Sequence, residues 1–211
     1  SEVGFLEAHL HQNALQVALN EISTLKNMDM GELKAAMRRV KKRTALITAL
    51  CDIGNIWSLD DVTNILSALA ETACQCTVEH IWREFEQKGE VLGHISGYTV
   101  LALGKLGGHE LNYSSDIDLI CLFDPETFPY RGRQTPSHCA VKITRKLIEY
   151  IQERDSNGYV FRVDLRLRPD PGSTPVAVSF NGAVAYYQSL AQTWERSAFI
   201  KARPIAGDMT A

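Results

Sequence analysis

The sequence predicts an α+β fold: an amino-terminal helical layer over residues 1–90, packed on a mixed β-sheet core with flanking helices over residues 91–211. Three observations carry this. Apolar residues before residue 90 recur at helical spacing, whereas those after it come in short β-branched runs and alternations. Eleven of the 14 glycines lie after residue 88. Charge divides at the same place, with 9 Lys+Arg against 13 Asp+Glu in residues 1–90 and 13 against 12 in the remainder.

In the first part, Val3, Leu6, Leu10, Ala14 and Val17 trace one helical stripe, and Leu33, Met37, Val40, Thr44, Ile47 and Cys51 trace a stronger one. Ser58 followed by Asp61 spells a capping box, since each can satisfy an amide of the other. Val62, Ile65, Leu66, Leu69, Ala73, Cys76 and Ile81 then line a third helix, predicted to run to Gln87 with Gly89 as its stop. The basic run Arg38, Arg39, Lys41, Lys42, Arg43 reads as a solvated face or as a docking surface for an acidic partner. Trp57, Trp82 and Phe85 read as packing residues.

In the second part, Tyr98–Leu103 is apolar and β-branched, a strand that runs into Gly104-Lys-Leu-Gly-Gly108. Adjacent glycines after a strand permit a tight turn and close approach of a ligand to the backbone. Their spacing is neither that of the dinucleotide fingerprint nor that of a P-loop. A second strand follows within Ser114–Phe123, where Asp116 and Asp118, two residues apart, project to one side. Paired carboxylates repel each other unless a divalent cation neutralises them, and oxygen donors favour Mg²⁺ or Mn²⁺. A bare DxD is equally a solvated strand end. After a helix over about Pro136 to Glu153, Tyr159–Arg168 alternates apolar residues with Arg162, Asp164, Arg166 and Arg168, which predicts a half-buried strand carrying a third carboxylate among arginines. Val176–Ser179 reads as a short strand, Ser179 as the cap of a helix over Ala183–Leu190, and Thr193–Arg203 as a helix ended by Pro204. That helix would bury Trp194, Ala198 and Phe199. Its Glu195, Arg196, Lys201 and Arg203 form an ion-pair network or reach a site.

Three aspartates on two strands beside a glycine turn suit nucleotidyl transfer. Two cations bridged by Asp116, Asp118 and Asp164 would clamp the attacking and leaving oxygens. Lys105, Ser115 and the amides of Gly107 and Gly108, with Arg166 and Arg168, would hold phosphate oxygens. His109 is a weaker candidate base. The net charge of -3 disfavours nucleic acid as a partner, and no apolar run reaches the ~18 residues that span a bilayer. Five cysteines without ligand spacing, and no basic-then-apolar start, lead to the expectation of buried free thiols in a reducing cytoplasm.

The segments GKLGGHELNYSSDIDLICLF (Gly104–Phe123), GYVFRVDLRLRPDPGSTPVAVSF (Gly158–Phe180) and YYQSLAQTWERSAFIKARPIAGD (Tyr186–Asp208) resemble the bifunctional glutamine synthetase adenylyltransferase/adenylyl-removing enzymes. The glycine pair and the three aspartates place the chain near the wider nucleotidyltransferase superfamily. The resemblance implies a nucleotidyltransferase-type core, with Asp116, Asp118 and Asp164 as catalytic metal ligands and Gly107 and Gly108 at the phosphates. It implies glutamine synthetase as partner and, in the full-length enzyme, control by a small PII-type nitrogen-signalling protein and by glutamine. The Asn112-Tyr-Ser-Ser-Asp stretch, the Arg-Val-Asp-Leu-Arg-Leu-Arg-Pro segment and Trp-Glu-Arg-Ser-Ala resemble the amino-terminal, removing half. That half releases AMP from tyrosine by phosphorolysis, with phosphate as nucleophile and ADP as product. The alternatives are AMP attachment from ATP, another nucleotidyltransferase substrate, and a non-catalytic docking module. At 211 residues the chain reads as a fragment of such an enzyme.

Overall fold

A computed structural model describes residues 13–14, 16–20, 23–27 and 30–210. Of the first predicted stripe, Val3, Leu6 and Leu10 lie outside the described residues. Ala14 packs against the core, Val17 is exposed, and the position that turns inward is Ala18. Helix α1 (Met30–Ile53) buries Leu33, Met37, Val40, Thr44 and Cys51 as the periodicity predicts. Helix α2 (Leu59–Gln87) buries every residue of its predicted stripe. Its amino terminus is a reciprocal cap. The Asp61 amide donates to the Ser58 hydroxyl at 3.2 Å, and the Ser58 amide donates to the Asp61 carboxylate at 2.9 Å. Ser58→Ala leaves one amide of the first turn without its acceptor and is expected to lower unfolding stability by about 1 kcal/mol, measured by denaturant titration.

The basic run on α1 is only partly a solvated face. Arg39, Lys42 and Arg43 are exposed, but Arg38 is buried and donates to the Asp155 carboxylate (3.1 Å) and the Glu153 carbonyl (2.6 Å). Lys41 lies half-buried 4.4 Å from the centre of the Tyr159 ring, and burial lowers its pKa to about 8. The helical layer therefore grips the segment that leads into the third predicted carboxylate.

Strand β1 (Tyr98–Ala102) runs into a single helical turn, α3 (Gly104–Gly107), where the sequence predicts a tight turn. Strand β2 (Ile117–Phe123) pairs antiparallel with β1. Helix α4 (Pro136–Gln152) follows, then β3 (Val163–Asp164), β4 (Ala177–Ser179), α5 (Phe180–Ser189, capped by Ser179), α6 (Thr193–Ser197), a 3-10 turn (Ala198–Lys201) and β5 (Arg203–Gly207). Along the sheet, β5 lies beside β1 and β1 beside β2. The far edge of β2 is shared, with β3 parallel to its start and β4 parallel to its end.

Alternation on β2 separates the two faces. Ile117, Leu119, Cys121 and Phe123 join Tyr98, Val100 and Ala102 in the main core with residues of α1, α2 and α4. Ile120 and Leu122 join Leu103, Val178 and Ala183 in a smaller cluster on the opposite face. Trp57, Trp82 and Phe85 are core residues, and Trp82 packs edge-on against Phe128 at 5.6 Å. All five cysteines are buried thiols outside any disulfide, and burial pushes Cys121 up to about 11 and Cys139 up to about 12. No helix among the described residues is long and apolar enough to cross a membrane.

Two expectations need correction. The strand predicted over Tyr159–Arg168 shrinks to Val163–Asp164. Val160 and Phe161 are buried in succession, and both amides donate to the Ile151 carbonyl at 3.1 Å instead of joining a ladder. The helix predicted over Thr193–Arg203 stops earlier, and Arg203–Gly207 becomes a strand. The free edge of β1 takes up this segment with a register shift between Val100 and Leu101, and Pro204 is tolerated because β5 is an edge strand. Ala198 and Phe199 pack on the smaller cluster as predicted, but Trp194 is 59 % exposed.

Candidate active site

The site is built where β2 meets β3. Asp118 and Asp164 are register partners on neighbouring parallel strands, so they stand on the same face of the sheet. Asp116 lies two residues before Asp118, at the mouth of β2. The three carboxylates that the sequence singles out thus come together, although Asp164 is separated from the other two by all of α4. Asp118 is half-buried, and among the described residues no salt bridge reaches it. Burial, reinforced by the charges of Asp164 and Asp116, pushes its carboxyl above the usual carboxylate range. Asp164 goes the other way, because hydrogen bonds from Arg166 hold it below that range.

The arginines are not equivalent. Arg162 donates from Nε to Asp116 Oδ1, from Nη1 to the Tyr159 hydroxyl at 2.9 Å and from Nη2 to the Ser114 carbonyl at 2.6 Å. Arg166 wraps both oxygens of Asp164, with its Nη2 2.5 Å from Oδ2, and its side chain is 85 % exposed. Among the described residues, Arg168 hydrogen-bonds main-chain carbonyls and not the carboxylates. It donates to the carbonyls of Leu165 (2.9 Å) and Pro171 (2.7 Å) and fastens the loop after β3. The sequence places Arg162, Arg166 and Arg168 together around Asp164, but only Arg166 and Arg168 are assigned there to phosphate, and the contact of Arg162 with Asp116 is not foreseen.

The glycine turn is organised differently from expectation. The amides of Gly107 and Gly108 donate to the carbonyls of Leu103 (3.0 Å) and Gly104 (3.1 Å), so both are spent inside the turn. Gly107 is small for a packing reason, since a Cβ there would collide with the Lys201 carbonyl oxygen and lie 2.9 Å from that of Ala102. The glycine that faces the carboxylates is Gly104. It has φ +55°, and a Cβ on it would overlap Asp118 Oδ2. Lys105 is exposed and lines a hollow of about 370 Å³ with Gly104, Glu110, Ser197, Ala198, Ile200 and Lys201. The Ser115 hydroxyl donates to Asn112 Oδ1 at 2.8 Å.

Of the charged residues near the carboxyl end, Arg203 and Lys201 form ion pairs beside the glycine turn, whereas Glu195 and Arg196 make other contacts. Arg203 pairs with Glu71 and donates to the carbonyls of Gly107 and Leu106, both at 3.0 Å. Lys201 pairs with Glu110 at 2.6 Å. Glu195 accepts from the Tyr186 hydroxyl at 2.8 Å, and Arg196 reaches the Gln188 carbonyl at 3.5 Å. His109 is turned toward Glu71 (3.6 Å) and Arg203 (3.3 Å), part of that ion-pair group and not of the aspartate cluster.

Three carboxylates offer an all-oxygen donor set of the kind that hard divalent cations take. The crowding of like charge on half-buried Asp118 is the observation that fits such a cation. As the side chains stand, no group of three or more His, Cys, Asp or Glu among the described residues is arranged to hold a metal ion. Both oxygens of Asp164 are taken by Arg166, whereas Asp116 spends only Oδ1 on Arg162.

Comparison with known proteins matches the sequence to one family. The family model described as glutamate-ammonia ligase adenylyltransferase matches residues 5–211. The bifunctional glutamine synthetase adenylyltransferase/adenylyl-removing enzyme of Rhizobium meliloti (strain 1021) is 43 % identical over 187 residues, which cover 85 % of this chain and 19 % of the relative. The protein of that name from Rhodopseudomonas palustris (strain ATCC BAA-98 / CGA009) is 46 % identical over 187 residues, again 85 % of this chain and 19 % of the relative. That from Brucella suis biovar 1 (strain 1330) is 42 % identical over 210 residues, 93 % of this chain and 21 % of the relative. The chain spans about a fifth of the length of these curated relatives. With a model matched over nearly its whole length, the chain belongs to the glutamate-ammonia ligase adenylyltransferase family.

Proposed function

We propose that this chain carries the adenylyl-removing chemistry, the metal-dependent phosphorolysis of AMP from the adenylylated tyrosine of glutamine synthetase with release of ADP. The observation that carries the reading is the register pairing of Asp118 with Asp164 on the face that Gly104 leaves open, with Asp116 two residues away. The relatives' name covers both attachment and removal. The choice of removal rests on the Asn112-Tyr-Ser-Ser-Asp, Arg-Val-Asp-Leu-Arg-Leu-Arg-Pro and Trp-Glu-Arg-Ser-Ala segments. Control by a PII-type protein in the full-length enzyme belongs to the same proposal.

In this reading Asp116, Asp118 and Asp164 hold Mg²⁺ or Mn²⁺, two ions in all. When bound, the cations neutralise charge on both phosphates and on the leaving oxygen. An oxygen of inorganic phosphate attacks the adenylyl phosphorus, and the bond from phosphorus to the tyrosyl oxygen breaks. The electron pair stays on the tyrosyl oxygen, which takes up a proton, and ADP is complete. One anion attacks another here, so the protein contributes mainly positioning and fixed positive charge. Arg166 is exposed enough to leave Asp164 and meet a phosphate oxygen, and Lys105 stands at the rim beside Gly104.

The test is incubation of the chain with adenylylated glutamine synthetase, Mg²⁺ and phosphate. ADP release that depends on both phosphate and the divalent cation is the expected result. Attachment of AMP from ATP without any release would move the chain to the opposite half-reaction.

A further inference from the structure

Among the described residues, Arg162 is the one basic side chain that joins both limbs of the carboxylate cluster. Its main chain belongs to the run into β3, where its carbonyl accepts from the Ile117 amide at 2.9 Å. Its side chain crosses to the loop before β2 and takes Asp116 Oδ1 and the Ser114 carbonyl together. Its third arm ends on the Tyr159 hydroxyl. Behind it, Lys41 of α1 donates to the Tyr159 carbonyl at 3.3 Å and sits over the rings of Tyr159 (4.4 Å) and Phe161 (5.1 Å). Arg38 fastens Asp155 a few residues earlier. Every arm of Arg162 is therefore anchored, and the anchor itself is held by the helical layer. Arg166 differs, since among the described residues its side chain hydrogen-bonds Asp164 alone, and it stands in solvent.

We propose that Arg162 is a positioning residue for the cation site: its fork fixes the Asp116 carboxylate by one oxygen and leaves the other directed for a divalent cation shared with Asp118 and Asp164. The inference rests on the metal-dependent reading above. A planar fork does this where an ammonium cannot, because three acceptors in different directions need several donors in fixed relation. Partners that orient ligating carboxylates typically contribute 10–100-fold to metal affinity. Arg162 thus sets the distance between the loop before β2 and the run into β3, and Arg166 is the arginine free to exchange.

The experiment titrates Mn²⁺ alone into the 211-residue chain, by calorimetry or by the electron-spin signal of free Mn²⁺, for the wild type and for Arg162→Ala, Arg162→Lys and Tyr159→Phe. Thermal unfolding of each metal-free variant runs alongside. Arg162→Ala is expected to weaken Mn²⁺ binding by about tenfold or more while unfolding near the wild-type midpoint. Arg162→Lys should restore only part of the loss, since one ammonium reaches one acceptor well. Tyr159→Phe removes a single anchor, folds without difficulty and should show a smaller loss of the same sign. Unchanged or tighter binding in Arg162→Ala overturns the proposal, because the arginine would then be neutral or a competitor of the cation. If Arg162→Ala fails to fold, unaltered Mn²⁺ affinity in both remaining variants overturns it. A wild-type chain that takes up no Mn²⁺ at all overturns the metal reading itself and this inference with it.

Discussion

Asp118→Asn is expected to lower turnover by roughly 10²–10³ while leaving the fold intact or firmer. Asp118 is the central member of the carboxylate cluster, beside Asp164 in register and two residues from Asp116. The amide keeps the shape and removes one of the charges that would draw a cation in the proposed reading. The stability change has a definite sign with pH. The folded-state pKa of Asp118 is raised, first by burial and then by its two acidic neighbours, so the fold disfavours the ionised form. The native state binds its proton more tightly than the unfolded chain, and this group's contribution to stability falls as pH rises through the carboxylate range. The metal-free Asn variant does not ionise. Its denaturation midpoint relative to wild type should therefore rise from acid pH upward and level off above the folded pKa of Asp118. Parallel turnover, Mn²⁺ titration and unfolding measurements check all three expectations. Full activity in the variant would falsify the carboxylate mechanism.

Gly104→Ala should damage both stability and catalysis. A non-glycine residue at φ +55° costs roughly 1–2 kcal/mol, because its Cβ crowds the following carbonyl. The new methyl group would also overlap Asp118 Oδ2, so the carboxylate must move out of its place beside Asp164. Gly89→Ala is the control. Its φ is +69°, but nothing lies within 4 Å of an added Cβ. Both variants should show comparable strain in urea denaturation, and only Gly104→Ala should also lose divalent-cation affinity and turnover. Equal activity in the two would mean that the turn and the carboxylate are not coupled.

What the sequence made legible was whatever depends on local chemistry. The Ser58–Asp61 cap and the buried stripe of α2 follow from residues within one or two helical turns of each other, and both are present. The two-residue spacing of Asp116 and Asp118 likewise fixes their common face. What was not legible was set by competition between distant segments for the same partner. Tyr159–Phe161 has strand-like residues, but the carbonyl end of α4 offers acceptors before the sheet does. Arg203–Gly207 carries a helix-like lead and a proline, yet the open edge of β1 recruits it. The glycine turn illustrates a subtler limit. Three glycines look interchangeable in the sequence, and only their neighbours in space show that Gly104 clears the carboxylate while Gly107 clears the Lys201 carbonyl.

The shared edge of β2 separates two design problems that most enzymes must solve together. β3 and β4 are both zipped to one strand, and the stretch from Leu165 to Val176 leaves that strand and returns to it with both ends pinned. Arg168 ties the stretch to itself through the carbonyls of Leu165 and Pro171, while Leu165, Leu167 and the Tyr187 hydroxyl tie its start to the two apolar clusters. The spacing of Asp118 and Asp164 is set by the strand pairing and not by the path between β3 and β4. Placing the two carboxylates and shaping the path that follows them are thus separate tasks hung on one strand.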